Sequence, residues 1–462
     1  MSSQQQALEH PLAGAGACIA EMRNMNAVTY NLPSETLSDI FEAGLSETSY
    51  PTPRGRAFLE RFRQPLPVPF EIVISAVSRR WRNVALQTPR LWTDIYINFA
   101  QPTHALYDLY LYRSKTCLLD ITLGPFDHKE SDFIHSRDVG ICFKQHMGLL
   151  IPHVVRWREL VIRQAFAGAS SAPYAVLAHL YAPALETLVA EIHSQPRLAM
   201  EVFSGGAPRL SSVELNGVYF CPPQGAVKYL NLFYIYTGPL SHAQFSQLIR
   251  PMSSLTHLTI NSTIFLDTNH PSIELQSVIS LDISLDGYSI GALRFLDFPA
   301  VKKLTFRGYS HEVFKAVAQH RRLYPAVLSL TIASWGHSTI ASRDRIDWDI
   351  APVAKDFVSL LPSVRDVTFQ GTDSTPMLHA LHERDSTDKL LWPHLTAITV
   401  TPAVNATISL KKQTWTYVVK VVESRLRIGI PISHITLSSR ILERISNKQQ
   451  RRLREQVALI EC

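Results

Sequence analysis

The side chains best suited to chemistry in this chain are its 18 histidines, its five cysteines and one glycine-rich stretch. His379 and His382, in the run MLHALHERD, are three apart on a predicted helix, a spacing that sets two imidazoles on one face. A zinc site needs three or four ligands, and no H-E-x-x-H arrangement or third ligand accompanies this pair. An ordinary surface or core role is the simpler account. The cysteines, Cys18, Cys117, Cys142, Cys221 and Cys462, are odd in number and far apart, with no C-x-x-C pair. Neither a disulfide framework nor a zinc knot follows from them, and a reducing compartment is the simple reading. The stretch AGAGACIA around Gly14 and Gly16 has the glycine content of a phosphate loop but no strand before it. With no G-x-S-x-G and no P-loop, the sequence reads as a non-enzyme, and no catalytic residue, cofactor or metal is assigned.

The elements that would carry any other function are bounded by composition. A length of 462 residues allows about two to four ordinary domains, or one small domain and a long repeat array. Hydrophobic residues make up 46% and charged residues 18%, a globular balance. The formal charge of +6 is modest for this length and does not by itself indicate nucleic acid. The N-terminus lacks a basic region followed by an apolar core, so it does not read as a signal peptide. No run approaches the roughly 18 apolar residues of a spanning helix, and no membrane role is expected. The reading is a soluble intracellular protein, cytoplasmic or nuclear, in which the sequons at Asn261 and Asn405 mean little.

Residues 1–27 are polar and small and read as disordered or loosely helical. The run NLPSETLSDIFEAGL then has Pro33 at a helix start, acidic Glu35 and Asp39 early in that helix, and Leu37, Ile40 and Phe41 on one face. Residues 46–69, rich in proline and arginine, read as a loop insertion in a helical module spanning 28–95. Ile74, Val77, Trp81 and Val84 predict one helix over about 70–86, ended by Thr88-Pro89. From about 115 onward a hexad recurs, apolar-x-x-apolar-x-apolar. Examples are Val227, Leu230, Leu232; Val278, Leu281, Ile283; and Val364, Val367, Phe369. Nine central copies, led by residues from Leu185 to Leu395, are separated by 17 to 37 residues, and helical segments lie between them. A strand plus a helix repeated at this period predicts an α/β fold: a small helical module, then an irregular leucine-rich-repeat solenoid over 96–440. The places where that repeat wants asparagine or cysteine hold other residues, so the array reads as degenerate. Residues 441–462 predict a basic amphipathic helix with Leu453, Val457 and Ile460 on its apolar side.

The pattern L-P-x-E-x-L-x-x-I-F from Leu32 and V-S-R-R-W-R-x-x-A-L-x-T-P-x-L-W from Val77 resembles the F-box, in particular the F-box-like proteins abundant in mushroom-forming fungi. The runs LYLYRSKTCLLDITLG and IPHVVRWRELVI extend the resemblance into the repeats; the insertion after Leu45 departs from it. The resemblance implies docking on a Skp-type adaptor, and through it a cullin, with a protein substrate on the repeats. It gives Leu32, Pro33, Leu37, Ile40 and Phe41 as adaptor contacts, with Val77, Trp81 and Leu86 shared between contact and packing. Such a small module cannot bury all its apolar side chains, so an exposed patch is expected. On the repeats, outward residues of the concave face would read the substrate: Glu186, Glu214, Thr256, Thr259, Asp282, Lys302, Thr305, Thr331, Arg365, Thr368 and Thr399.

Other readings stay open at this point. The helical module could simply cap the array, making the chain a repeat scaffold with no ligase attachment. An enzyme site could sit in an irregular α/β fold, or the C-terminal basic helix could bind nucleic acid or a membrane surface. The SRRWR run at 78–82 reads as a solvated helix face.

Overall fold

The computed structural model describes residues 31–48, 68–98, 104–124, 138–164, 172–192, 200–217, 220–223, 225–233, 241–261, 271–284, 295–308, 317–318, 324–333, 350–371, 374–383, 390–401, 408–443 and 445–461. The expected N-terminal segment 1–27, with its glycine-rich stretch, and residues 49–67 of the expected insertion lie outside these. The chain divides into two compact units, one of residues 1–210 with 218–223 and one of residues 211–217 with 224–462. Both are mixed α/β with open parallel sheets.

The first unit begins with helices α1 (Ser34–Thr48), α2 (Phe70–Val77) and α3 (Arg79–Gln87). The single helix expected over 70–86 is two. Ser78 is extended (φ −155°, ψ 166°), and its hydroxyl accepts from the Trp81 amide at 3.1 Å. Serine favours this N-cap geometry over a helix interior, and the cap outweighs the unbroken apolar periodicity. Thr88 ends α3, its hydroxyl donating to the Val84 carbonyl at 2.8 Å, and Pro89 opens a 3-10 turn, Pro89–Trp92. Strands β1 (Asp94–Asn98), β2 (Leu119–Gly124), β3 (Trp157–Gln164) and β4 (Thr187–Ile192) follow in order, each parallel to the next. Helices α4 (His104–Arg113) and α5 (Asp138–Leu150) lie in the connections β1–β2 and β2–β3. The first strand, β1, begins at Asp94, so its first two residues fall inside the 28–95 segment read as helical.

The main sheet of the second unit has ten described strands, β5 (Ser212–Asn216), β6 (Tyr229–Phe233), β7 (His257–Asn261), β8 (Ser280–Ser284), β9 (Lys303–Arg307), β10 (Ser329–Ala333), β11 (Asp366–Gln370), β12 (Ala397–Thr401), β13 (His434–Leu437) and β14 (Ala458–Glu461). All pair in parallel, and their order across the sheet is their order in the chain. Six described helices lie between or beside them: α6 (His242–Ile249), α7 (Ile350–Ser359), α8 (Thr375–His382), α9 (Ile408–Arg427), α10 (Ser439–Leu442) and α11 (Asn447–Arg454).

Each hexad accounts for one strand and its approach. The first apolar residue closes a turn through its amide: Leu255 bonds the Met252 carbonyl, Val301 that of Phe298, and Leu395 that of Trp392. The other two, such as Leu304 and Phe306, lie two apart on one face of the strand and are buried. They sit level with their neighbours, so that Leu304, Leu330, Val367, Ile398 and Ile435 form one buried row. Ser241 caps α6 in a reciprocal capping box with Gln244, and Phe245, Leu248 and Ile249 are buried as their spacing predicts. In α7 the buried face is Ala354, Phe357 and Val358, continued by Leu361, rather than Val353, Phe357 and Leu360. Of the expected Phe314, Val317 and Ala318 face, only residues 317–318 are described.

The C-terminal segment differs from one long helix. The basic run forms only α11, capped by Ser446 and Gln449, and residues 458–461 become β14 alongside β13. Leu453 and Val457 are buried as a helical face requires, but Ile460 is exposed. The unpaired backbone edge of β13 offers these last residues hydrogen bonds that solvent would otherwise take.

Candidate functional site

The helical part of the first unit leaves an apolar surface open, and α1 and α2 build it together. Two contacts bear on their relative direction: the Phe70 ring at the start of α2 lies against Gly44, and just beyond the end of α2 the Arg80 guanidinium, on α3, donates to the Leu32 carbonyl. The helices therefore run antiparallel. A Cβ at Gly44 would come within 2.7 Å of the Phe70 ring, so glycine permits the close approach. One turn back from Gly44 is Ile40. On α2, Val73 and Val77 follow Phe70 at helical spacing. These three aliphatic side chains are 48%, 48% and 53% exposed. Pro33 is also exposed and Leu32 half-buried.

The other face of α1 turns inward. Leu37 and Phe41 are buried, and the Phe41 ring meets Trp81 at 5.1 Å. The Ser38 hydroxyl pairs with that of Thr88 at 2.7 Å, and Arg90 bonds Glu42 at 3.1 Å. Of the residues picked out from sequence, Pro33, Ile40 and Val77 are thus open surface, and Leu32, Trp81 and Leu86 are half-buried. Leu37 and Phe41 are interior, where they set the position of α1 and offer no surface. Val73 was not picked out, because it falls between the two matched motifs.

Beneath this surface lies a polar anchor. Trp92 is fully buried; its indole donates to the Ala85 carbonyl at 2.9 Å, Tyr110 meets it edge-on at 5.1 Å, and the Arg113 guanidinium lies 4.3 Å above its ring. The Tyr110 hydroxyl donates to the buried Glu71 carboxylate, whose pKa burial pushes up despite that bond. Tyr110 is pushed up in turn by burial and by Glu71. Nearby, Asp94, Asp120 and Glu159 stand in register on β1, β2 and β3. Arg158 grips Asp120 with two hydrogen bonds, while Asp94 is pushed up to about 6, first by burial and then by Asp120. This arrangement ties the helices to the first strands.

In the second unit Glu214, Thr259, Asp282, Thr305, Thr331, Thr368 and Thr399, expected to read a partner, lie in one cross-strand row, which Asn231 and Thr436, not picked out from the sequence, complete. Thr256, Lys302 and Arg365 sit instead at strand entrances, as Glu186 does in the first unit. Asp282 is held by Arg307 through two bonds of 2.8 and 2.6 Å. Two residues before the row, Tyr229 stacks on His257 at 4.5 Å, a pair that no sequence pattern marks. Its two members meet only because Tyr229 and His257 are register partners on β6 and β7.

His379 lies 5.2 Å from the Tyr417 ring and 3.6 Å from Glu383; burial and Lys420 push the His382 pKa down. Among the described residues no group of three or more His, Cys, Asp or Glu side chains is placed to hold a metal ion, and no helix is long and apolar enough to cross a membrane. No protein-family model matches the chain, and no curated protein matches it.

Proposed function

We propose that this chain is a substrate-receptor subunit of a Skp–cullin–F-box type ubiquitin ligase. In this reading residues 28–95 are an F-box-like module, and the strands that follow are a degenerate leucine-rich-repeat solenoid. The module docks on a Skp-type adaptor and the repeats hold a protein substrate. The observation that carries the reading is the open strip of Ile40, Val73 and Val77, on a helix pair whose sequence resembles the F-box. Three aliphatic side chains left about half exposed on two packed helices are accounted for if a partner covers them. The chain would contribute positioning and no chemistry: a lysine held near a thioester meets it at high effective concentration.

Support also comes from the repeats. Parallel strands in chain order, each adding one level to the sheet, present one long outward surface, as a receptor needs. The test is co-expression with a Skp-type adaptor, followed by gel filtration. A stoichiometric complex is expected, and Ile40→Asp with Val77→Asp should abolish it. A clean absence of complex with the folded wild-type chain would leave a repeat scaffold without ligase attachment.

A further inference from the structure

The outward surface of the second unit is not uniform. Along the entrances of β6 to β11 stand Lys228, Lys302, Lys303 and Arg365, all exposed, and none has an ion-pair partner among the described residues. Of the carboxylates on this surface, Asp282 is already neutralised by Arg307, and Asp366 stands beside Arg365 at the far end of the strip. At one end, Tyr229 is 44% exposed, with its ring fixed against His257, and Thr256 bonds the His257 Nδ1 at 2.9 Å. Level with Tyr229 and His257 the row continues through Ser280, Lys303 and Ser329 to Asp366, so small serines flank Lys303 on both sides.

We propose that this strip, from Tyr229 to Arg365, docks an extended acidic segment of a partner protein. The inference rests on the receptor reading above and names the chemistry of what is received. Five strand steps of about 4.8 Å make the strip about 24 Å long, which matches about seven extended residues. The four cations meet spaced carboxylates. Tyr229, immobilised before binding, gives an anchor at low entropic cost. A single-stranded nucleic acid fits less well. Among the described residues of the strip the Tyr229 platform already has one face covered by His257, which leaves little for successive bases to stack on.

The probe is a fluorescein-labelled dodecapeptide of alternating Glu and Gly, followed by anisotropy with the full chain. A Gln-for-Glu peptide and a single-stranded oligothymidylate serve as competitors, and adaptor co-purification is scored on the same preparations. The Glu peptide should bind. Lys302→Glu with Lys303→Glu should weaken it at least tenfold, and Tyr229→Ala several-fold, with adaptor binding unchanged. Equal binding of the Gln peptide, an unmoved double variant or tighter binding of the oligonucleotide overturns the proposal. Failure of the peptide with the adaptor still bound sinks this inference alone. Peptide binding without adaptor binding sinks the ligase reading and leaves this surface standing.

Discussion

Replacing Ile40 by Asp separates a docking surface from an ordinary exposed face. The side chain is 48% exposed, so a partner that covers it removes about half of an isoleucine from water. Full burial of such a side chain is worth about 1.5–3 kcal/mol, so its share is about 1 kcal/mol. An aspartate in the same place must also be stripped of water against Val73 and Val77, at a further cost of about 1–3 kcal/mol. The sum, about 2–4 kcal/mol, corresponds to a loss of about thirtyfold to nearly a thousandfold in affinity. Stability should change by only about 0.5 kcal/mol, since the position is on the surface of α1. Titration calorimetry of the purified chain against a Skp-type adaptor reads the first quantity, and thermal unfolding reads the second. Unchanged affinity in a folded Ile40→Asp variant would refute the assignment of this strip. The buried Leu37 and Phe41 cannot serve the same test, because their loss would damage the fold itself.

Phe41→Ala should cost about 3–5 kcal/mol in stability, by emptying the space against Trp81; a change below 1 kcal/mol in urea unfolding would contradict its interior placement. Asp94 is held at about 6 in the folded chain against an ordinary 3.8, so folding favours its protonated form, and stability is lost as pH rises from about 4 to 6. Asp94→Asn should therefore be more stable than the parent at pH 7.5, by at most about 3 kcal/mol, and the gain should vanish near pH 3.5; a pH-independent difference would count against this. Arg425 is fully buried, and among the described residues it donates only to the Leu391 carbonyl at 2.6 Å and leaves Nε and Nη1 without partners, with burial pulling its pKa down to about 10. Arg425→Met should be neutral or up to about 2 kcal/mol stabilising by calorimetry, and a clear fall in Tm would show that the guanidinium has a role not accounted for.

Much of the fold is legible because two periods are written into the residues. Leu330 and Ile332, two apart after Val327, announce a buried strand, and the same spacing in other hexads gave the repeats. Periodicity cannot see a cap that interrupts it. Ile74, Val77, Trp81 and Val84 keep helical spacing straight through Ser78, yet the serine hydroxyl divides the segment into two helices. Nor can it see a free sheet edge: Leu453, Val457 and Ile460 suit a helix, but the backbone of β13 claims the last of them. The open apolar surface was only partly legible. The matched motif names Leu37, Ile40 and Phe41 alike, and only the antiparallel packing of α1 on α2 decides which of them face outward. The Tyr229 and His257 stack depends on strand register, which neither segment encodes alone.

The chain-order pairing of β5 to β14 also bears on how such a protein can change over generations. Each strand touches only the one before and the one after, so the segment between two strands is a single closed loop of about one repeat. In the second unit the interval between leading hexad residues runs from 23, as between Val278 and Val301, to 37, as between Val327 and Val364. Lengthening a loop by that ratio costs only about 0.4 kcal/mol in closure entropy. Insertions between strands are therefore nearly neutral for the sheet, while a one-residue slip within a strand would turn Leu304 and Phe306 out to solvent. Drift in length between strands and constancy within them is the pattern that selection on such an architecture leaves behind, and the uneven hexad spacing in this chain matches it.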